Sequence, residues 1–110
     1  MKEVKAIVKP FKVNDILNQL LEAGHPNITV DLSEGTGNFK NSHSSLSMHF
    51  SITDSKVAVI GIICKETEVE NIVSIISSVG RTGNPGDGII TVSHVEKVYR
   101  VKTGMENGHD

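Results

Sequence analysis

The sequence predicts an α+β sandwich in which two helices cover one face of an antiparallel sheet. Three observations carry this expectation: two segments with apolar residues at helical spacing, short β-branched runs around them, and glycine or proline at the breaks between elements. The chain has 110 residues, 37% of them hydrophobic, which is enough for one core. No shift in composition divides it, so residues 1–110 read as a single domain.

Residues 4–8 form a β-branched run that ends at Lys9-Pro10, because proline disfavours helical geometry in the residue before it. From Lys12 onward, Val13, Ile16, Leu17, Leu20 and Leu21 fall at the i, i+3, i+4, i+7, i+8 spacing of a helix with one buried face, and Gly24 stops it. Residues 28–32 read as a second strand leading into Gly35-Thr36-Gly37. Residues 56–64 are apolar on both faces, as in a central strand. Thr67 stands where it would cap a second helix, whose apolar positions are Val69, Ile72, Val73, Ile76 and Val79, with Gly80 near its end. Residues 88–93 follow a glycine-rich turn as the fourth strand, and residues 95–101 are expected as an additional C-terminal strand. This order is the βαββαβ pattern of a ferredoxin-like sandwich. Its second sheet face has no helix to cover it, so association of copies through that face is expected.

Composition narrows the function classes. A net charge of -2 and a pI near 6.2 argue against nucleic acid as a partner, because phosphate-backbone binding needs a clustered excess of Lys and Arg. With no Trp, one Tyr and three Phe, an aromatic stacking platform is hard to build. The first residues are too charged, and the apolar stretch after them too short, for a signal peptide. No run approaches a membrane span, so a cytoplasmic protein without direct membrane insertion is expected. Cys64 is the single cysteine and lies in an apolar run, where it reads as a small buried hydrophobe.

Chemistry concentrates in three segments. Arg81-Thr82-Gly83-Asn84-Pro85-Gly86-Asp87-Gly88 joins the second helix to the fourth strand; its glycines let backbone N–H groups converge on an anion beside Arg81, or simply satisfy positive φ in a tight loop. It lacks the Gly-Lys-Ser/Thr ending of a P-loop. Arg100 and Lys102 would point to one side of an extended strand, roughly 7 Å apart, where they straddle a phosphate or guard a sheet edge. Residues 37–55 are too long for a passive connection. Within them His43, Met48 and His49 are metal candidates, yet in an extended chain the histidines lie roughly 20 Å apart, beyond the reach of one ion. No nucleophile or acid–base pair stands beside an organised electrophile site, so no enzyme is expected. A nucleotide-binding module fits better than a small hydrolase or a metal carrier.

Four strings stand in the same order and near the same spacing as in one known family: Lys9-Pro10-Phe11-Lys12; Thr29-Val30 before Glu34-Gly35-Thr36-Gly37; Thr82-Gly83 followed by Gly86-Asp87-Gly88; and Val98-Tyr99-Arg100-Val101-Lys102-Thr103-Gly104. Through them the chain resembles the PII signal-transduction proteins from Met1 to Gly104. The resemblance implies a homotrimer that takes an adenine nucleotide (ADP, ATP or AMP) into the clefts between subunits. It also implies a mobile T-loop at residues 37–55 that controls a membrane transporter or another regulatory target. By matching positions, Gly35, Thr36 and Gly37 would border the nucleotide, Thr29 would approach the adenine, and Gly86, Asp87 and Gly88 would wrap the phosphates beside Arg81. Arg100 and Lys102 would complete the phosphate grip, Lys56 would neutralise phosphate or effector charge, and residues 105–110 would form a flexible tail.

Some positions depart from the family pattern. Phe39 replaces a glutamine that contacts magnesium and 2-oxoglutarate, and phenylalanine cannot ligate a metal. Ile89 replaces the lysine after Gly-Asp-Gly, and the short T-loop has no tyrosine for uridylylation. These departures leave the role of magnesium open. They point away from nitrogen sensing in its usual form, toward a branch tied to another solute such as bicarbonate or a heavy metal. The alternative is a metal-responsive module that uses His43, Met48 and His49.

Overall fold

Six elements follow in the order that the periodicity predicts: β1 (Lys2–Val8), α1 (Val13–Glu22), β2 (Ile28–Glu34), β3 (Lys56–Cys64), α2 (Val69–Gly80) and β4 (Gly88–His94). The structure, a computed structural model, describes residues 1–34 and 56–106. All strand pairs are antiparallel and the sheet order is β2-β3-β1-β4. The doubly apolar strand β3 is therefore central, as its sequence requires.

Alternation decides which side chains meet the helices. Val4, Ala6 and Val8 of β1 lie opposite Ile62, Ile60 and Ala58 of β3, and these residues form the core with Ile16 and Leu20 of α1 and Ile72 and Ile76 of α2. Each fully buried aliphatic side chain contributes about 1.5–3 kcal/mol. The other sheet face carries no helix and mixes polar with apolar residues. Glu3, Lys5, Thr29, Asp31 and Thr91 alternate there with Ile7, Val59, Ile63 and Ile89.

The helix ends follow local chemistry. Gly24, at φ 89°, closes α1: its N–H donates to the Leu21 carbonyl (3.0 Å), and the His25 N–H donates to the Leu20 carbonyl (2.9 Å). The buried His25 ring then bonds Asn71 Oδ1 through Nε2 at 3.0 Å, with Nδ1 3.6 Å from Glu68. This contact ties the end of α1 to the start of α2. Thr67 does not cap α2. It lies inside a 3-10 turn, Glu66–Glu68, which is stabilised by the Glu68 carboxylate accepting the Lys65 N–H at 2.9 Å. The helical geometry begins at the extended Lys65, whose carbonyl accepts the Glu68 N–H at 2.9 Å, so Thr67 is already inside the turn and not at the cap position. Cys64 is buried as expected; desolvation, then the Glu68 charge, pushes its thiol pKa up.

The additional C-terminal strand does not form among the described residues. After β4, the Val95 N–H bonds the Met1 carbonyl at 3.0 Å. Tyr99 then makes a single bridge with Glu106. Between them the Arg100 N–H donates to the Met105 carbonyl (3.0 Å) and the Gly104 N–H to the Arg100 carbonyl (2.7 Å), so the chain turns back on itself. A run of extended residues becomes a strand only where a ladder partner lies alongside, and here the partner is its own returning leg. Met105 and Glu106, expected in the flexible tail, are that leg.

Gly88 starts β4 at φ 110°, and a Cβ built there would lie 1.7 Å from the Ile7 carbonyl oxygen. No side chain fits between the two strands. Gly88→Ala is expected to destabilise the protein by about 3 kcal/mol or more, read from chemical denaturation. A variant as stable as wild type would mean that the strands do not approach this closely.

Candidate functional site

The glycine-rich connection between α2 and β4 is built around one carboxylate. Gly80 ends α2 in a buried position where a Cβ would meet Ile16 Cδ1 at 3.2 Å, and Arg81 leaves the helix in extended geometry. Positive φ at Gly83 (83°) and Gly86 (88°) then turns the chain. Pro85-Gly86 has the residue order of a type II turn, in which proline sets the first corner and glycine accepts the second. The Asp87 carboxylate sits inside this curve. Its Oδ2 accepts the N–H groups of Thr82 and Gly83, each at 2.9 Å, and its Oδ1 accepts the Thr82 hydroxyl. Thr82 Oγ1 in turn accepts the Asn84 N–H at 3.1 Å.

One cation completes the arrangement, and it comes from the opposite end of the sequence. Lys9 Nζ lies 3.2 Å from Asp87 Oδ1 and donates to Thr82 Oγ1 at 3.1 Å. Desolvation alone would raise the Asp87 pKa. The hydrogen bonds from Thr82, Gly83 and Lys9 outweigh it and hold the carboxyl well below the usual carboxylate range. Lys9 was not among the site residues expected from the sequence. The signal available there was Lys9-Pro10 itself: the proline holds Lys9 extended (φ -67°, ψ 133°) at the exit of β1.

The expected site residues fall into two groups. Arg81, Asp87 and Gly88 line a cavity of about 260 Å³ with Val8, Ser77 and Ile89; Arg81 donates there to Ser77 Oγ at 3.2 Å. Gly86 is buried in the turn beside it. Thr29 and Arg100 line a second cavity of about 580 Å³ on the helix-free sheet face, with Glu3, Lys5 and Asp31. Lys56 is exposed at the start of β3, opposite Glu34. Lys102 is exposed too, but residues 101–103 form a turn, so Arg100 and Lys102 do not share one side of a strand as expected. Gly35, Thr36, Gly37, Phe39, His43, Met48 and His49, and the 37–55 segment as a whole, lie outside the described residues. Among the described residues no group of three or more His, Cys, Asp or Glu is arranged to hold a metal ion, and no helix is long and apolar enough to cross a membrane.

Comparison of the sequence with known proteins finds a matching family model and curated relatives of the same description. The family model described as Nitrogen regulatory protein P-II covers residues 1–105. The chain is similar to the Nitrogen regulatory protein P-II of Mesorhizobium japonicum, with 36% identity over 112 residues that span 100% of this chain and 98% of the relative. It is likewise similar to those of Azospirillum brasilense, with 34% identity over 98% of this chain and 97% of the relative, and of Pasteurella multocida, with 33% identity over 97% and 96%.

The low pKa of Asp87 makes a pH prediction. A carboxyl whose folded pKa lies below its unfolded value of about 3.9 contributes stability that is present above that value and is lost as pH falls toward the folded one. Below about pH 4, wild type should therefore lose stability more steeply than Asp87→Asn in denaturation measured across the acid range. Parallel acid limbs would contradict the bonding seen at Asp87.

Proposed function

The chain belongs to the nitrogen regulatory protein P-II family, whose members are homotrimeric regulators of target proteins and not enzymes, and from this we propose that it binds adenine nucleotides between its subunits and signals through residues 37–55. Family members bind such nucleotides as effectors. The observation that carries the reading for this chain is the division of its expected nucleotide-binding residues between two cavities. Arg81, Asp87 and Gly88 line one and Thr29 and Arg100 the other. A head-to-tail interface that closes into a ring sets one surface of each subunit against a different surface of the next. One cleft then gathers the loop of one copy and the Thr29–Arg100 surface of its neighbour.

In this reading the backbone around Gly86 and Gly88 cradles the phosphates while Arg81, Arg100, Lys102 and Lys56 supply positive charge around them. Gly35, Thr36 and Gly37 border the nucleotide at the base of the signalling segment. That segment couples the nucleotide state to the target, a transporter or an enzyme.

Calorimetric titration with AMP, ADP and ATP, with and without magnesium, tests the reading, alongside light scattering for a mass three times that of the 11.9 kDa chain. Arg100→Ala should weaken nucleotide binding about tenfold or more in a folded protein, because it removes a charge-assisted phosphate contact. Absence of any nucleotide binding by wild type below millimolar concentrations, or a monomer at micromolar concentration, would sink the proposal.

Ile89 bears on nucleotide preference. It lines the loop cavity and is 43% exposed where the family has lysine, so the terminal phosphates lack one charge-assisted partner. Ile89→Lys should raise ATP affinity selectively, about tenfold over AMP. An equal change for both nucleotides, or none, would show that another cation already reaches those oxygens.

A further inference from the structure

We propose that Lys9 is a positioning residue for the glycine-rich loop: through its ion pair with Asp87 it holds the backbone that meets the nucleotide phosphates. This rests on the nucleotide reading above and adds a residue outside the expected binding set.

An acid within a phosphate-binding loop would ordinarily repel its ligand. Asp87 is turned inward instead, where Thr82, Gly83 and Lys9 all donate to it. The amides of Thr82, Gly83 and Asn84 are thereby committed within the loop, and Pro85 has none, which leaves the stretch from Gly86 onward to meet an anion. Lys9 compensates the negative charge at the centre of this arrangement. Its side chain is only 19% exposed and its ammonium is directed to Asp87 and Thr82, so it acts through the loop and not as a solvent-facing phosphate ligand. It also enters from β1, so the loop is anchored to the sheet and not only to its own flanks. Removing the ammonium leaves a partly buried carboxylate uncompensated beside the phosphates and frees the curve of residues 82–87 from β1.

The test is ADP titration of the full-length protein and three variants, with circular dichroism to confirm folding. Lys9→Met should bind ADP about tenfold more weakly than wild type. The double variant Lys9→Met with Asp87→Asn should recover at least about threefold of that loss, because the uncompensated charge is gone; a residue acting only as packing would show no such recovery. Lys9→Arg, which keeps the charge, should stay within about threefold of wild type and decides the matter should Lys9→Met not fold. Unchanged ADP affinity in folded Lys9→Met, a double variant no better than the single one, or an Arg variant more than about tenfold weaker would each overturn the inference. Failure of wild type itself to bind ADP would overturn the nucleotide reading and this inference with it, a result distinct from any failure confined to the variants.

Discussion

The register of β1 governs most of this structure, because β1 pairs along its whole length with β3 on one side and β4 on the other. Val4, Ala6 and Val8 reach the helices only in this register; a slip of one residue would carry Glu3, Lys5 and Ile7 into the core. With Val8 opposite both Ala58 and Gly88, the strands on either side of β1 are set. Lys9, the next residue, leaves the sheet beside the start of β4. The contact of Lys9 with Asp87 and Thr82 is thus a consequence of how the core alternates.

Two polar contacts hold α2 at its ends while Ile72 and Ile76 hold its middle. At the N-terminal end the buried His25 ring joins Asn71 and lies near Glu68. At the C-terminal end Asp87 gathers Thr82, Gly83 and Lys9. Among the described residues no buried side-chain nitrogen or oxygen lacks a hydrogen-bond partner. That matters most in the loop, where a short connection rich in glycine would otherwise have no reason to keep one shape.

The surfaces left by this scaffold are unlike one another. The loop cavity lies at the Val8 end of β1, between sheet and helices, and the larger cavity lies on the helix-free face toward Glu3 and Lys5. The chain beyond β4 borders the second of these through Val98 and Arg100 before it turns back at Gly104. A single subunit therefore presents two dissimilar partial surfaces, which suits heterologous contact better than self-complementary pairing.

The sequence by itself determined the two helices, the four strands and the central place of β3, because these follow from apolar spacing within a few residues and from Gly24 and Pro10 at the breaks. The position of the glycine-rich loop between α2 and β4 was legible in the same way. What lay beyond the sequence were contacts between distant segments. Alternation in residues 95–101 looked like a strand, yet strand formation depends on a ladder partner, and the one available was the returning leg at Met105 and Glu106. Thr67 had the right chemistry for a cap, but the chain enters helical geometry two residues earlier, at Lys65, which leaves Thr67 inside the turn. Which groups the Asp87 carboxylate bonds was decided by the tertiary structure, because the cation that balances it, Lys9, stands 78 positions earlier in the chain and is brought near by strand pairing. Local patterns record what a segment can bury; which charges meet is decided by the fold that the burial produces.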